Sequence, residues 1–432
     1  MPPTTLHLPL ILFAAVGLGA CSATPERLDP ATVLDARAER QAAAPEDAVF
    51  DREALVLAFV EGDARVRRAA LALERAHADA DAAGRLPDPT LSLQGLFLDP
   101  GSDLPSLVGG ALQFALPFLS TRDAERAAAD ARVVRAAAEL ADAVRVARAD
   151  ATLIWIEAWA ERRRSALFDA ASEDFAGLAE LAERMARVGE LGSLDARRLA
   201  MAATRRRLDA LDSRRALDAH ELEVAARLDL ATPPTLATPV ELALALDDAT
   251  HDTQLDPRMA RAAADLAVAE QRLVAAARGG FAGATLGPAG EWEGGDGRFG
   301  LALSLPLPLT GRTAALRAVA EIARRAAALE LELAVAAVEA ERRGARRELG
   351  AARATLTGIE AEWLPLAREQ WRAARTLFEA GEAGAVDLEA ALTAQLEAEL
   401  ARIDAHARAA AAAARLERTG STDTGALAQD ER

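Results

Sequence analysis

Two helical runs of nearly equal length, each far longer than the helices of an ordinary domain, constrain this chain more than any motif in it. From Arg122 to Val188 the sequence is rich in Ala, Leu, Glu and Arg, all strong helix formers, and the run stops at Gly189 and Gly192. Thr310 to Phe378 repeats that composition, with Pro365 as its one hard breaker, and stops at Gly381 and Gly384. After each glycine pair come an aspartate, Asp195 or Asp387, and a second helical run, the first reaching about Leu230 and the second going from Leu388 to about Leu416. Each half therefore reads as a helical hairpin. From Pro117 to Gly189 is 72 positions and from Pro308 to Gly381 is 73, so the chain is an internal duplication. At ~1.5 Å per residue each run makes a rod on the order of 100 Å, which must pack on other rods to bury its apolar stripe.

The apolar stripes follow coiled-coil spacing. Phe168, Ala171, Phe175, Leu178, Ala182 and Met185 step by three and four in the first rod. Trp363, Ala367, Gln370, Trp371, Ala374, Leu377 and Phe378 do much the same near the second tip. A further helix is expected from about Arg52 to Ala83, ended by Gly84, Pro87 and Pro89. Helix-like sequence also precedes Leu246 and runs from Pro257 to Arg278.

Between the helices lie short strand candidates, Thr90 to Leu98 and Gly109 to Leu116, joined by a loop from Asp99 to Val108. In the second half Phe299, Leu301, Leu303, Leu305 and Leu307 alternate with Gly300, Ala302, Ser304 and Pro306, as a strand between lipid and a water-filled lumen requires. Its partner is expected in the Gly-rich stretch from Phe281 to Trp292. The expected fold is thus mainly α, with duplicated long helical hairpins and four strands per chain. Four strands cannot close a barrel, and open edges are not tolerated in lipid, so oligomerisation is implied. Two copies would supply eight strands and three would supply twelve.

Composition narrows the partners. The net charge is −17, the basic residues are all Arg, and Tyr is absent, a balance unsuited to nucleic-acid binding. The single cysteine excludes an internal disulfide. It follows an apolar segment from Leu8 to Leu18, too short to span a bilayer, and Leu18-Gly19-Ala20-Cys21 resembles a bacterial lipobox. That resemblance implies cleavage after residue 20 and lipid attachment at Cys21, although the segment before it has His7 and no Lys or Arg. Ser22 resembles the residue that sorts such lipoproteins to the outer membrane. The chain then divides into a signal peptide (1–20), a polar tether (21–50), a first repeat (51–230), a Pro-rich linker (231–239), a second repeat (240–418) and a disordered tail (419–432).

Helix, strand pair, long helix, glycine tip and return helix, repeated twice behind a lipobox, resemble the TolC-type outer-membrane efflux protein family. The residues that carry the likeness are Leu86-Pro87-Asp88-Pro89-Thr90-Leu91, the Leu305-Pro306-Leu307-Pro308-Leu309-Thr310-Gly311-Arg312 lead-in to the rod, Leu364-Pro365, and the tips Arg187 to Asp195 and Phe378 to Asp387. The family implies a homotrimer whose strands form a β-barrel in the outer membrane and whose helices form an α-helical barrel in the periplasm. It also implies docking on a periplasmic adaptor and an inner-membrane pump. On that basis Gly189, Gly192, Gly381 and Gly384 form the adaptor-facing turns, and Asp195 and Asp387 match positions that narrow the tunnel. Where some members carry a second Asp three residues on, this chain has Ala390. Each glycine also simply ends a helix, and each Asp also suits the first turn of the return helix.

Two other classes fit less of the sequence. For an enzyme, His7, His77, His220, His251 and His406 are isolated and no phosphate loop or nucleophile motif is present. His77 and Asp81, one helical turn apart, make only two metal ligands, and no metal site or other cofactor is expected. A periplasmic coiled-coil or adaptor lipoprotein accounts for the rods but leaves the strands and the duplication without a role. If Cys21 is the acylation site, labelled palmitate fed to cells enters the wild-type chain and not Cys21→Ala, measured by autoradiography of the immunoprecipitated protein; equal labelling refutes the assignment.

Overall fold

A computed structural model describes residues 29–43, 48–83, 85–96, 107–116, 121–239, 255–279, 283–293, 296–307 and 309–419. The signal segment with Cys21, the helix-like run around Leu246 and the tail at 420–432 lie outside the described residues. In chain order the first half comprises α1 (Pro30–Ala43), β1 (Val49–Phe50), α2 (Arg52–Gly62), α3 (Ala64–Ala83), β2 (Thr90–Leu96), β3 (Leu107–Ala115), α4 (Arg122–Arg187), α5 (Ser193–Leu228) and β4 (Thr235–Leu236). The second half comprises α6 (Pro257–Arg278), β5 (Thr285–Glu293), β6 (Asp296–Ser304), α7 (Arg312–Gly358), a π-helical turn (Ile359–Trp363), α8 (Leu364–Glu379) and α9 (Ala385–Arg418). The fold is mainly α with four strands in its main sheet, as the sequence pattern predicts.

The two rods are α4, 66 residues long, and the run from α7 through α8. Pro365 does not break the second rod. The proline has no N–H, and its ring would strike the carbonyl of residue 361, so one turn widens and the Leu364 N–H bonds to the Ile359 carbonyl five residues back. The widened turn accounts for a shift in the repeat. Asp150 and Glu341, equivalent by their partners, are 191 positions apart, whereas the tip glycines Gly189 and Gly381 are 192 apart. One extra residue enters the second rod between these points, and a π turn is how a helix accommodates one without breaking.

Those equivalent partners pin the short helices to the rods. The helix expected from Arg52 to Ala83 is two helices, because at Asp63 the chain leaves helical geometry. The Asp63 carboxylate accepts the Arg65 backbone N–H at 2.7 Å and its guanidinium at 2.9 Å. Arg65 also reaches Asp150 on α4 at 2.8 Å, and Arg227 on α5 donates to the same carboxylate oxygen at 2.7 Å. Arg227 lies over the Phe59 ring at 5.7 Å. In the second half Asp256 accepts from the Arg258 backbone N–H at 2.9 Å, and Arg258 reaches Glu341 on α7 at 2.6 Å.

The helices form a layer in which α5 packs on α4, α4 on α9, and α9 on α7 and α8. Midway along α4, where α5 ends, Leu55, Phe59, Val66, Trp155, Val224 and Leu236 form a core. At the tips a second core joins both hairpins, with Phe175, Leu178 and Ala182 of α4, Leu199 of α5, Phe378 of α8 and Leu388 of α9. The expected stripe in the first rod is thus buried at Ala171, Phe175, Leu178 and Ala182. In the second stripe Ala367 and Phe378 are buried, whereas Trp363 and Leu377 face outward.

Two segments expected to be simple connections are structured. The tether contains α1, whose Arg37 grips the Asp229 carboxylate at 2.7 Å, with Gln41 adding a bond at 2.8 Å. Asp229 caps α5 in the left-handed conformation, φ 56°. The linker at 231–239 contains β4, which pairs in parallel with β1. Leu236 of that strand is fully buried, and the Trp155 indole donates to the Ala237 carbonyl at 3.0 Å. Alternating Pro and Thr concealed one buried leucine that anchors the segment.

Burial alone would raise the Asp63 carboxyl, but the Arg65 hydrogen bonds and the nearby Arg227 charge outweigh it and hold the group below the usual carboxylate range. Asp150 is held low in the same way, its burial outweighed by Arg65 and Arg227. A carboxylate held low adds stability above its ordinary pKa and loses it as pH falls through the folded-state value. Thermal unfolding should therefore show Tm falling between about pH 5 and pH 3, and Asp63→Asn should flatten that fall. At neutral pH Asp63→Ala should cost about 2 kcal/mol by denaturant titration, because Arg65 loses its buried partner.

Candidate functional site

The main sheet has the order β2-β3-β5-β6, all antiparallel, so each half of the chain contributes one hairpin. Its register sorts the side chains cleanly. On one face Phe114 stands opposite Leu286, which stands opposite Leu303; Leu91 stands opposite Leu112, and Val108 opposite Trp292. On the other face Thr90 faces Gln113, and Ala115, Thr285 and Ser304 form one row across three strands. Ser92, Ala111, Ala289 and Gly300 form another row, and Glu291 stands between Gly109 and Arg298. Thr285 Oγ1 lies 3.0 Å from Gln113 Oε1 across that polar face. The sheet is therefore apolar on one side and small or polar on the other.

The apolar side is bare. Phe299 and Leu301 are 78% and 76% exposed, and Leu91, Leu93, Phe114, Leu303 and Trp292 are exposed with them. Trp292 and Phe299 meet edge to face at 5.2 Å, an aromatic pair near the end of the β5–β6 hairpin. A contiguous apolar surface of this kind marks contact with lipid or with another apolar body. The outer edges of β2 and β6 have no strand beside them among the described residues. None of the described helices is long and apolar enough to cross a membrane.

The weak strand signal in the Gly-rich stretch before Trp292 has a steric cause. At Gly287 a Cβ would lie 1.7 Å from the Leu112 carbonyl oxygen, so β3 and β5 can cross there only around a glycine. The glycine that weakens the pattern is a condition of the pairing.

At the far end of the rods the two tips share one geometry. Gly189 and Gly381 hold φ of 83° and 76°, conformations that side-chain-bearing residues rarely adopt. The N–H of Glu190 reaches back to the Met185 carbonyl at 3.0 Å, and that of Glu382 to the Leu377 carbonyl at 2.8 Å, so both turns close the last helical carbonyls alike. Gly192 and Gly384 then precede α5 and α9 in extended conformation. Asp387 Oδ2 accepts the Gly384 N–H at 3.4 Å, and Asp195 lies at the same position of its own helix, against Gly192. Both aspartates also complement the positive end of the helix dipole. An ion pair between Arg198 and Glu389 at 3.7 Å, with Leu199 and Leu388 in one core, sets the two tips level. The structure therefore gathers Gly189, Gly192, Gly381, Gly384, Asp195 and Asp387 at one end of the rods and leaves them accessible.

Sequence reasoning passed over the Asp63 and Asp256 clusters. Their signal is an Asp-x-Arg triplet, Asp63-Ala64-Arg65 and Asp256-Pro257-Arg258, repeated 193 positions apart. His77 and Asp81 are exposed on α3, and among the described residues no cluster of three or more His, Cys, Asp or Glu is placed to hold a metal ion.

Residues 291–419 match the family model of the outer membrane efflux protein. Solved structures share the fold over most of their length. A membrane protein from Pseudomonas aeruginosa superposes with a TM-score of 0.73 at 17% identity, covering 92% of this chain and 100% of that one. The outer membrane protein VceC from Vibrio cholerae gives 0.69 at 16% identity, over 86% and 97%. The CmeC outer membrane channel of Campylobacter jejuni gives 0.69 at 13% identity, over 88% and 89%. No curated protein matches the sequence.

Proposed function

We propose, for a chain whose residues 291–419 match the outer membrane efflux protein model and whose fold is shared with outer-membrane channels, that it is the outer-membrane conduit of a tripartite efflux or secretion system. The observation that carries this reading is the four-stranded sheet with a bare apolar face, a small polar face and two open edges. In lipid an unpaired strand edge leaves backbone N–H and C=O groups without partners, at several kcal/mol each. The edges close when β6 of one copy pairs with β2 of the next. Three copies then supply twelve strands, with the Leu and Phe face toward lipid and the Thr, Gln, Ser and Gly face toward water.

The rods extend the lumen into the periplasm. As a homotrimer they form an α-helical barrel, and the level tips at Gly189, Gly192, Gly381 and Gly384 dock on the periplasmic adaptor that links the channel to its inner-membrane pump. Lipid on Cys21 tethers the chain to the outer membrane. Asp195 and Asp387 bring six carboxylates to the narrow end of a trimer, a ring that favours cations and repels anions. The channel is a passive conduit and catalyses no reaction.

Purified protein reconstituted in planar lipid films should conduct, and cross-linking in detergent should give a trimer. A monomer that never conducts overturns the reading. Asp387→Ala should raise conductance and lower cation selectivity, because it removes three of the six charges and the Gly384 cap together. Asp387→Asn keeps the hydrogen-bonding oxygen and loses only the charge. Selectivity unchanged in both variants removes the gate assignment and leaves the conduit reading standing.

A further inference from the structure

Each strand of the main sheet has an arginine just beyond the same end. Thr90, Ala115, Thr285 and Ser304 lie at that end, and Arg85, Arg122, Arg278 and Arg312 stand five to eight residues from them along the chain. The opposite end is acidic, with Glu293 opposite Asp296. In the first half Asp88, Asp123 and Glu125 lie among the arginines and balance them. The second half has no such balance. Its sequence has no acidic residue between Glu270 and Glu291, or between Asp296 and Glu321. Arg278, Arg312 and Arg317 are exposed there, and among the described residues none of the three pairs with a carboxylate. Glu321 is already held by Arg324 at 2.9 Å and Arg325 at 3.2 Å.

The packing of the helices brings these arginines to nearly one height. Helix α6 runs toward the sheet, α4 and α7 run away from it, and α6 packs on both. Arg258 of α6 reaches Glu341 of α7 at 2.6 Å, and Asp265 of α6 pairs with Arg135 of α4 at 3.2 Å. Twenty residues on from Arg258 is Arg278, and twenty back from Glu341 is Glu321, about one helical turn from Arg317. Thirteen residues on from Asp265 is Arg278 again, and thirteen back from Arg135 is Arg122. Arg312 lies ~7.5 Å nearer the sheet than Arg317.

We propose that Arg278, Arg312 and Arg317 form a binding site for the phosphate of an anionic phospholipid, whose acyl chains lie along Leu305, Leu307 and Leu309. The inference rests on the channel reading above and adds a lipid partner to it. The apolar side of β6 continues in step through these three leucines, and Leu307 and Leu309 are 68% and 83% exposed. Ten steps separate Phe299 from Leu309; at ~3.4 Å each and a tilt of ~40° they cover about 26 Å, the height of the apolar band of a membrane barrel. Headgroup phosphates begin where that band ends, and Arg312 follows Leu309 by three residues. A guanidinium group grips phosphate oxygens through paired N–H groups, and three uncompensated charges favour a headgroup with net negative charge over a zwitterionic one. The same arginines in a lumen would meet free phosphate esters instead. Exposed Leu309 and Leu316 beside them suit lipid rather than a water-filled wall.

The test titrates the full-length oligomer, in a neutral detergent, with phosphatidylglycerol or phosphatidylcholine of the same acyl chains, and counts bound lipid by native mass spectrometry. Each arginine near a headgroup adds about fivefold in affinity for negative charge, so phosphatidylglycerol should bind more than about tenfold tighter. Arg312→Gln alone should reduce that preference about fivefold. Arg278→Gln, Arg312→Gln and Arg317→Gln together should abolish it, whereas Arg184→Gln, Arg187→Gln and Arg197→Gln, at the far tip, should leave it intact. Glycerol 3-phosphate at the same concentration should not displace the lipid. Displacement by that soluble ester places the arginines in the lumen and overturns the site. Equal binding of the two lipids, or a preference that survives both the single and the triple substitution, also overturns it, while a conducting oligomer keeps the channel reading. A chain that forms no oligomer at all overturns both.

Discussion

An unpaired backbone group inside hydrocarbon is the constraint from which the rest of this structure follows. The β2-β3-β5-β6 sheet presents an apolar face and ends at two open edges, a combination that is unstable in water because of the face and unstable in lipid because of the edges. A soluble protein would cover the face with a helix. Here the two rods begin past β3 and β6, at Arg122 and Arg312, and among the described residues no helix covers the face. Both defects are removed together by rotational assembly in a membrane, which pairs the edges and gives the face to lipid. On the channel reading, closure of the sheet in that way would place the helices that continue from β3 and β6 in a ring beneath it.

Duplication makes that ring possible with one chain, and its imperfections show which interactions the geometry cannot do without. Asp63 with Arg65 and Asp256 with Arg258 hold the short helices against the two rods in the same manner, although the acidic partner on the rod is Asp150 in one half and Glu341 in the other. The tips keep their left-handed glycines and their reaching-back hydrogen bonds. Between those fixed points the second rod has gained a residue and a proline, and the π turn at Ile359–Trp363 absorbs both locally. A shift left uncorrected would have rotated α8 by about 100°, carrying Phe378 out of the tip core. The turn keeps the register that the core requires.

Much of this was legible in the sequence because it is periodic. Helix and strand periods, the glycine tips and the equal spacing of the halves identify the rods, the hairpins and the alternating β6 strand. What escaped notice is aperiodic. Gly287 weakens the β5 pattern for the reason that β5 can pair at all, since only a residue without Cβ allows the approach to Leu112. Leu236 is one apolar residue among prolines and threonines, and its burial depends on Trp155 being some 80 positions away in sequence. Asp63 interrupts a helical pattern that composition alone runs through to Ala83, because its carboxylate competes for the Arg65 N–H. In each case the deciding contact is with a residue that no local window contains.

The ends of the sheet obey the same logic as its edges. An apolar face of fixed height suits hydrocarbon of one thickness, and some other group must hold it at the right depth. Leucines define that depth poorly, because a small slide exposes on one side about as much apolar area as it covers on the other. Charged groups define it sharply, since each is costly in hydrocarbon and favoured among headgroups. Arg278, Arg312 and Arg317 stand past one end of the face, and Glu293 and Asp296 stand at the other. On the channel reading, closure of the sheet therefore supplies the drive to assemble, and the charges beyond its two ends determine the depth at which the closed sheet rests.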